Sequence, residues 1–372
     1  MKILFVIKSL VIPGGGAERI LTLISTALAE RGHDVTLLTF DAVGSQDFYA
    51  SGQAVTRLRL GVGRAHKRSR SIETITRLVR IRRVARGLRP DVAIGFMHSA
   101  FVPLALALAR TDIPVIGSER TSFEHYRLNP VQRELVHLTL PFLRAITVNG
   151  DAVREGFPVS WARKMVVISN PVRAACAVSD PIGGADKLLL SVGGLRKEKG
   201  HRTLIAAFAR IAARHPDWRL ILVGEGQCRE ALESQVRALG IGGRVCFAGA
   251  VKEVEREYQR AQLFVIPSLY EAFPNCLGEA LAHGLPAIGF ADCPGTNHLI
   301  VPGVNGVLAE GRDRVEGLAM AMDELMASPE TRARLGKAAP DSVDSYSLSA
   351  IVDLWENLLL SVRIDHAKAG LQ

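Results

Sequence analysis

A chain of 372 residues, 48% hydrophobic and 22% charged, is too long for one hydrophobic core. Its composition is that of ordered globular protein, which excludes disordered and collagen-like classes and leads us to expect two domains. Five cysteines without a C-x-x-C pair argue against a disulfide frame or a zinc ribbon and for free thiols in a reducing, cytoplasmic compartment. The net charge of +9 is concentrated, because ten basic residues between Arg64 and Arg89 face one acid, Glu73.

The chain opens on "MKILFVI", where Lys8 and the following "PGGG" suit a first buried strand better than a cleaved signal. "IPGGGAERIL", residues 12–21, then leads into helical spacing. A dinucleotide fingerprint would place a third glycine where Arg19 stands, although Asp41 follows the second strand at about the right distance for a ribose. The loop is therefore read as a tight turn or as a cradle whose amides face an anion.

Further apolar runs follow: "DVTLLTF", "DVAIGF", "PVIGSE", "AITVN" and "MVVIS", then "KLLLSVG", "RLILVG", "RVCFAG", "LFVIPS" and "PAIGF". Continuous rather than alternating apolarity is what strands of a parallel sheet buried on both faces show. The class is α/β, doubly wound, with helices on both sheet faces. "FVPLALALA" is too short to span a bilayer. A break near "ISNPV", residues 168–172, separates two similar halves, and ligands of such sheets bind at the carboxyl ends of the strands. A cleft between the halves is the expected place of function.

In the second half, "PSLYEAFPNCLGEALAHGLPAIG" puts Glu271 at a strand exit, Pro274 at a first helical turn and Glu279 on the helix. Amides from Phe273 through Asn275, Cys276 and Leu277 would face an anion there, Pro274 contributing none, with Glu279 beside them for a sugar hydroxyl. After "GVLAEG" the chain reads as helical, and Trp355 with Leu354, Leu358 and Leu359 marks an apolar face.

The spacing E-x7-E from Glu271 to Glu279, after "VIPS" and before "EALAHGLPAIG", resembles the nucleotide-sugar site of family-4 glycosyltransferases. "GGGAER", "ISNPV", "LLLSVGGLRKEKG", "RLILVGEG" and "RVCFAGAV" add to the likeness in family order. The resemblance implies a GT-B architecture, with two Rossmann-like domains facing a cleft and C-terminal helices returning to the first. The boundaries expected are 1–170 for the acceptor domain, 171–345 for the donor domain and 346–372 for the returning helix. It also implies retaining transfer of a hexose or N-acetylhexosamine from a nucleotide sugar, expected to be UDP-linked, to a lipid-linked or oligosaccharide acceptor in surface polysaccharide assembly. By the same likeness Glu279 would bind the ribose, Glu271 the donor sugar, Gly249, Ala250 and Val251 the base, and Gly15 and Gly16 the phosphates.

Two departures stand out. Gly194 occupies the position of an expected phosphate-binding arginine, which leaves Lys199, with Arg196 as a substitute, to stabilise the departing diphosphate. Arg120 in "GSERTS" stands where relatives often carry an acceptor-facing histidine, and His98 in "GFMHSA" can share that role or serve as a structural histidine. No D-x-D pair or H-E-x-x-H spacing indicates a metal, and no cofactor is expected. The basic segment 64–89 carries Ile75, Leu78, Val79, Ile81, Val84 and Leu88 at helical spacing, which suits an anionic inner-membrane surface and a peripheral location, or a core-facing helix with a solvated face. Without interleaved aromatics it does not suit nucleic acid. An epimerase of similar fold acting on nucleotide sugars, and a binding module that has lost catalysis, remain as alternatives.

Overall fold

In the computed structural model, residues 1–11, 16–62, 71–184, 186–251 and 253–369 are described. Gly15 and residues 64–70 of the basic segment lie outside them.

The chain begins with β1 (Lys2–Ile7), α1 (Gly16–Glu30), β2 (Asp34–Thr39), β3 (Thr56–Arg59), α2 (Ser71–Leu88), β4 (Val92–Phe96), α3 (His98–Leu108) and β5 (Val115–Ser118). It continues through α4 (Phe123–Leu128), α5 (Pro130–Thr139), β6 (Ala145–Val148), α6 (Asp151–Glu155), α7 (Val159–Ala162) and β7 (Met165–Val167). These strands form one parallel sheet in the order β3-β2-β1-β4-β5-β6-β7.

A second parallel sheet, ordered β10-β9-β8-β11-β12-β13, is built from β8 (Lys187–Val192), α8 (His201–Ile211), β9 (Trp218–Val223), α9 (Arg229–Ala238), β10 (Val245–Gly249) and α10 (Val254–Arg260). It is completed by β11 (Leu263–Val265), α11 (Asn275–Ala282), β12 (Ala287–Phe290), α12 (Pro294–Leu299) and β13 (Gly306–Ala309), followed by α13 (Arg314–Ala327) and α14 (Pro329–Ala338). The last helix, α15 (Leu348–Ala369), belongs with the first sheet. Unit 1 is Met1–Pro171 with Leu348–Gln372, and unit 2 is Val172–Ser347.

The central strands are buried on both faces, as their continuous apolar runs require: β1 hides Ile3 through Ile7, and β4 all five of its residues. In unit 1, Trp355 of α15 stacks on Phe96 with ring centres 5.9 Å apart and meets Phe5 edge-on. Asp41 is buried and accepts the Leu10 amide at 3.0 Å, which pins the exit of β1. The acid that a dinucleotide ribose would need is thus engaged within the fold.

The linker-like stretch after "ISNPV" is fastened to unit 2. Arg332, fully buried against Trp218, donates to the carbonyls of Pro181 (2.7 Å) and Ile182 (3.1 Å), and the Ser179 amide donates to the His283 carbonyl.

Helix α2 uses much of its charge structurally. Arg77 is buried over the Phe40 ring, Arg80 donates to the Leu60 carbonyl, and Arg82 donates to those of Ala107 and Ala109. Its apolar stripe faces the core rather than a membrane: Ile81 and Ala85 are fully buried and Leu78 and Val84 half-buried, leaving Ile75 and Val79 exposed. Helix packing against α3 is the physical reason.

Two glycines set backbone approaches that position the site. Gly200, at φ +70°, lets the loop after β8 press on the loop after β11, since a Cβ there would lie 1.9 Å from the Pro267 carbonyl oxygen. At Gly295, a Cβ would lie 2.5 Å from the Glu271 carbonyl oxygen. A Cβ at Gly194, by contrast, meets nothing closer than 3.4 Å. Gly200→Ala should therefore cost at least about 2 kcal/mol in chemical denaturation, from the left-handed backbone and the clash together. Gly194→Ala should shift the midpoint by only a few tenths, and equal costs for the two would contradict this account of the loops.

Candidate active site

In unit 2 the carboxyl ends of β8 and β11 meet. The loop after β8 runs through Gly194, Arg196 and Lys199 to Gly200, and the Leu269 amide donates to the Glu198 carbonyl at 2.9 Å. This places the Lys199 ammonium 2.6 Å from Glu271 Oε1, which also accepts the Ser268 hydroxyl at 2.7 Å. Burial disfavours the ammonium, but the adjacent Glu271 carboxylate outweighs it and holds Lys199 above the ordinary lysine value. The Lys199 ammonium stays charged throughout the neutral range.

Helix α11 follows, with Pro274 as its cap. Its amides offer less than the sequence suggests. Leu277 donates back to the Pro274 carbonyl at 3.0 Å, so its amide is spent within the helix's first turn. The side chains of Phe273 and Leu277 are core, Phe273 packing edge-on against Tyr346 at 5.4 Å. One turn on, Glu279 Oε2 accepts the Tyr258 hydroxyl at 3.0 Å. Cys276 lies within electrostatic reach of Glu271, Lys199 and Glu279. Burial first, then the Glu271 charge, pushes its thiol up to about 12, so it is a protonated spacer and not a nucleophile.

Arg196 pairs with Glu198 at 3.0 Å, and its Nε lies 3.4 Å from where a Gly194 Cβ would be. The guanidinium thus covers the face of Gly194. Gly249, at φ +73°, ends β10 and accepts the Gly224 amide, while Ala250 beyond it is exposed and Val251 half-buried. Five expected residues, Glu271, Glu279, Lys199, Arg196 and Cys276, therefore share one end of the second sheet. Sequence reasoning missed Ser268, legible only as the last letter of "VIPS", and Tyr258, which no motif marks. Among the described residues no cluster of three metal-ligating side chains occurs.

In unit 1, Gly16 starts α1 and is exposed. His98 and Arg120 both flank Glu119. Arg120 is enclosed, with its guanidinium over Phe96 and hydrogen-bonded to Asn149, Asn170 (3.0 Å), the Ile168 carbonyl and Ser118. Those bonds fix it inside unit 1. Buried Glu119 accepts the Arg120 and Thr121 amides, each at 2.9 Å, and the Tyr126 hydroxyl. His98 starts α3 directly after Met97, whose φ of 67° is unusual for a side-chain-bearing residue and marks stored strain. Its Nδ1 is 3.9 Å from Glu119 Oε2, and burial lowers its pKa, so it stands neutral at pH 7.

With this geometry in view, the likeness to known proteins has structural content. Residues 178–342 match the family described as glycosyl transferases group 1, and residues 14–175 match glycosyltransferase family 4. An uncharacterized glycosyltransferase of Haemophilus influenzae is 26% identical over 93% of this chain and 96% of its own length. A Campylobacter jejuni alpha-1,4-N-acetyl-D-galactosaminyltransferase acting on a PP-undecaprenol-linked glycan is 26% identical over 98% and 99%. The lipopolysaccharide core biosynthesis glycosyltransferase LpsE of Rhizobium meliloti is 28% identical over 93% and 96%.

Among solved structures, the sucrose-phosphate synthase of Thermosynechococcus elongatus superposes with a TM-score of 0.82 at 20% identity over 97% of this chain and 99% of that one. Anabaena HepE with UDP and glucose gives 0.78 at 20% identity over 97% and 100%. The two Rossmann-like units have the GT-B architecture of glycosyltransferases. The chain belongs to glycosyltransferase family 4.

His201, the first residue of α8, is buried beside the site, where burial and then the Lys199 charge lower its pKa to about 4. A base whose folded value lies below its ordinary 6.5 disfavours folding once the unfolded chain protonates, so stability falls from pH 6.5 toward pH 4. The loss should reach roughly 3 kcal/mol at most. Urea titrations across this window should show it, and His201→Gln should flatten the slope. An unchanged slope in the variant would assign the acid lability elsewhere.

Proposed function

We propose that this enzyme transfers a sugar, with retention of configuration, from a UDP-sugar to a lipid-linked or growing glycan in cell-surface polysaccharide assembly. The observation that carries the reading is the Lys199–Glu271 ion pair set beside the first turn of α11 and Glu279. A cation, helix amides and two carboxylates at one sheet end suit a diphosphate bearing a sugar on either side.

In this reading Glu279, oriented by Tyr258, accepts from the ribose hydroxyls, and Gly249, Ala250 and Val251 bracket the base. The amides of Asn275 and Cys276 meet the diphosphate, while Lys199 and Arg196 neutralise the charge that develops as it leaves. Arg196 takes the part of a side chain absent at Gly194. Glu271, anchored by Lys199 and Ser268, holds hydroxyls of the donor sugar. The bond from the anomeric carbon to the diphosphate breaks, the acceptor oxygen bonds to the same face, and its proton leaves with the diphosphate. His98, neutral at pH 7, receives the acceptor hydroxyl.

The donor class is supported by the UDP, glucose and UDP-glucose seen in HepE, and the acceptor class by the names of the Campylobacter and Rhizobium relatives. Among the described residues no helix is long and apolar enough to cross a membrane. We place the enzyme on the cytoplasmic face of the inner membrane, attracted by Arg83, Arg86 and Arg89, which are exposed on and just after α2.

Nucleotide release measured with and without acceptor tests the reaction class. Transfer requires acceptor-dependent release, an epimerase would convert the donor without acceptor, and a binding module would do neither. Glu279→Ala should weaken UDP-sugar binding by about 1–3 kcal/mol, whereas Glu271→Ala should mainly lower kcat. Folded variants with parental kinetics would remove both residues from the site.

The same cations let the reaction run without a divalent ion, so turnover should survive EDTA. Loss in chelator reversed by magnesium or manganese would show that a metal, and not Lys199 with Arg196, neutralises the diphosphate.

A further inference from the structure

Unit 1 carries an apolar ridge that neither its core nor the reaction accounts for. Leu128 at the end of α4, Val131, Leu135 and Leu138 on α5, and Phe142 just beyond are all exposed, at 77%, 73%, 43%, 65% and 42%. Within α5, the spacing of four and three residues puts Val131, Leu135 and Leu138 in one row, with Leu128 and Phe142 exposed just before and just after the helix. The opposite side of α5 is spent on the core, where Val136 and Leu140 are buried and the helix packs on α3. The row on α5 is about 10 Å long at helical rise. Large aliphatic rows of this kind are rarely left in water without a partner.

The charge around the ridge selects that partner. Its two nearest acids are paired on the surface, Glu124 with Arg127 at 3.0 Å and Glu134 with Arg133 at 3.1 Å. Helix α3 packs against both α2 and α5, so these three helices form one layer on the sheet. Residues 71–144, which contain that layer, hold eleven arginines against six acids, although Arg77, Arg80, Arg82 and Arg120 are occupied within the unit. Arg83, Arg86, Arg89, Arg110 and Arg144 are exposed, as is Leu106 of α3. An aliphatic row without exposed Trp or Tyr, flanked by the single aromatic Phe142 and sharing its helical layer with exposed arginines, lacks the Trp, Tyr and Arg cluster of a protein hot spot and matches the boundary between acyl chains and anionic headgroups.

We propose that the α4–α5 ridge is a docking surface for an anionic bilayer, with Val131, Leu135 and Leu138 entering the acyl boundary and the arginines of the layer bound to headgroups. Helix α2 then supplies attraction and α5 supplies insertion. The inference rests on the lipid-linked acceptor reading for its purpose, since a docked enzyme meets its acceptor in the plane of the membrane.

Cosedimentation of the full chain with phosphatidylcholine vesicles, with and without phosphatidylglycerol, at low and high salt, separates the two contributions. The parent should bind the phosphatidylglycerol vesicles with a part that resists salt. A variant carrying Val131→Gln, Leu135→Gln and Leu138→Gln should lose that part, with partitioning in high salt down by about 10-fold or more, while UDP-sugar binding stays unchanged. A variant carrying Arg83→Gln, Arg86→Gln and Arg89→Gln should lose only the salt-sensitive part. Parental binding by the ridge variant overturns the proposal and leaves electrostatic attraction standing. A parent dimer that the ridge variant converts to monomer, with vesicle binding unchanged, assigns the ridge to self-association instead. No binding by the parent overturns both membrane statements, and acceptor-dependent nucleotide release then decides separately whether the transferase reading survives.

Discussion

The Lys199–Glu271 ion pair is the contact on which the candidate site depends. Both side chains are largely withdrawn from water, and a buried carboxylate without a partner costs several kcal/mol. The pair and the Ser268 hydroxyl offset that cost, so the loop after β8 and the loop after β11 stabilise each other. Gly200 permits the approach, because only a residue without a Cβ can stand against the Pro267 carbonyl. Glu271 is held from its other side by the close approach of Gly295, whose amide donates to the Glu271 carbonyl. The geometry of the site is therefore set by backbone contacts, and the ion pair orients the charges within it.

Unit 1 solves a different problem. Its polar centre, with Glu119 accepting several donors and Arg120 enclosed by Asn149, Asn170 and carbonyls, is almost fully satisfied internally. Such a network fixes the ends of β5 and β6 and holds residues 168–170 against the sheet. His98 stands at its margin, after the strained Met97, half-buried and uncharged at neutral pH. A neutral imidazole can accept a hydrogen bond from a hydroxyl, which the enclosed guanidinium beside it cannot do.

Much of this was legible in the sequence because burial on both faces writes itself as continuous apolarity. Eleven strands coincide with such runs. The two that were missed, β3 and β13, are sheet edges. β3 reads "TRLR", and its Arg57 is held by Asp47 at 2.7 Å. β13 is four residues long. The E-x7-E spacing pointed to the candidate site because a strand exit and the next helix are local in sequence. Tyr258 and Glu279, 21 residues apart on separate helices, are joined only by the fold. Charge was the least readable signal. Arg77, Arg80, Arg82 and Arg332 carry no mark of burial in the sequence, and Arg120 was expected to face an acceptor, yet each is occupied with carbonyls, rings or side chains of its own unit. The ridge on α5 escaped notice because its exposed residues alternate with the core residues Val136 and Leu140.

The central claim is that unit 2 binds a nucleotide sugar with Lys199, Glu271, Glu279 and the first turn of α11. Amide hydrogen exchange with and without a UDP-sugar tests it most directly, since bound ligand protects the backbone that it touches. The account predicts protection in three segments, residues 193–200, 249–258 and 268–281, with the second sheet's other end unchanged. Saturating UDP-sugar that protects none of these segments, or protects only unit 1, would contradict it.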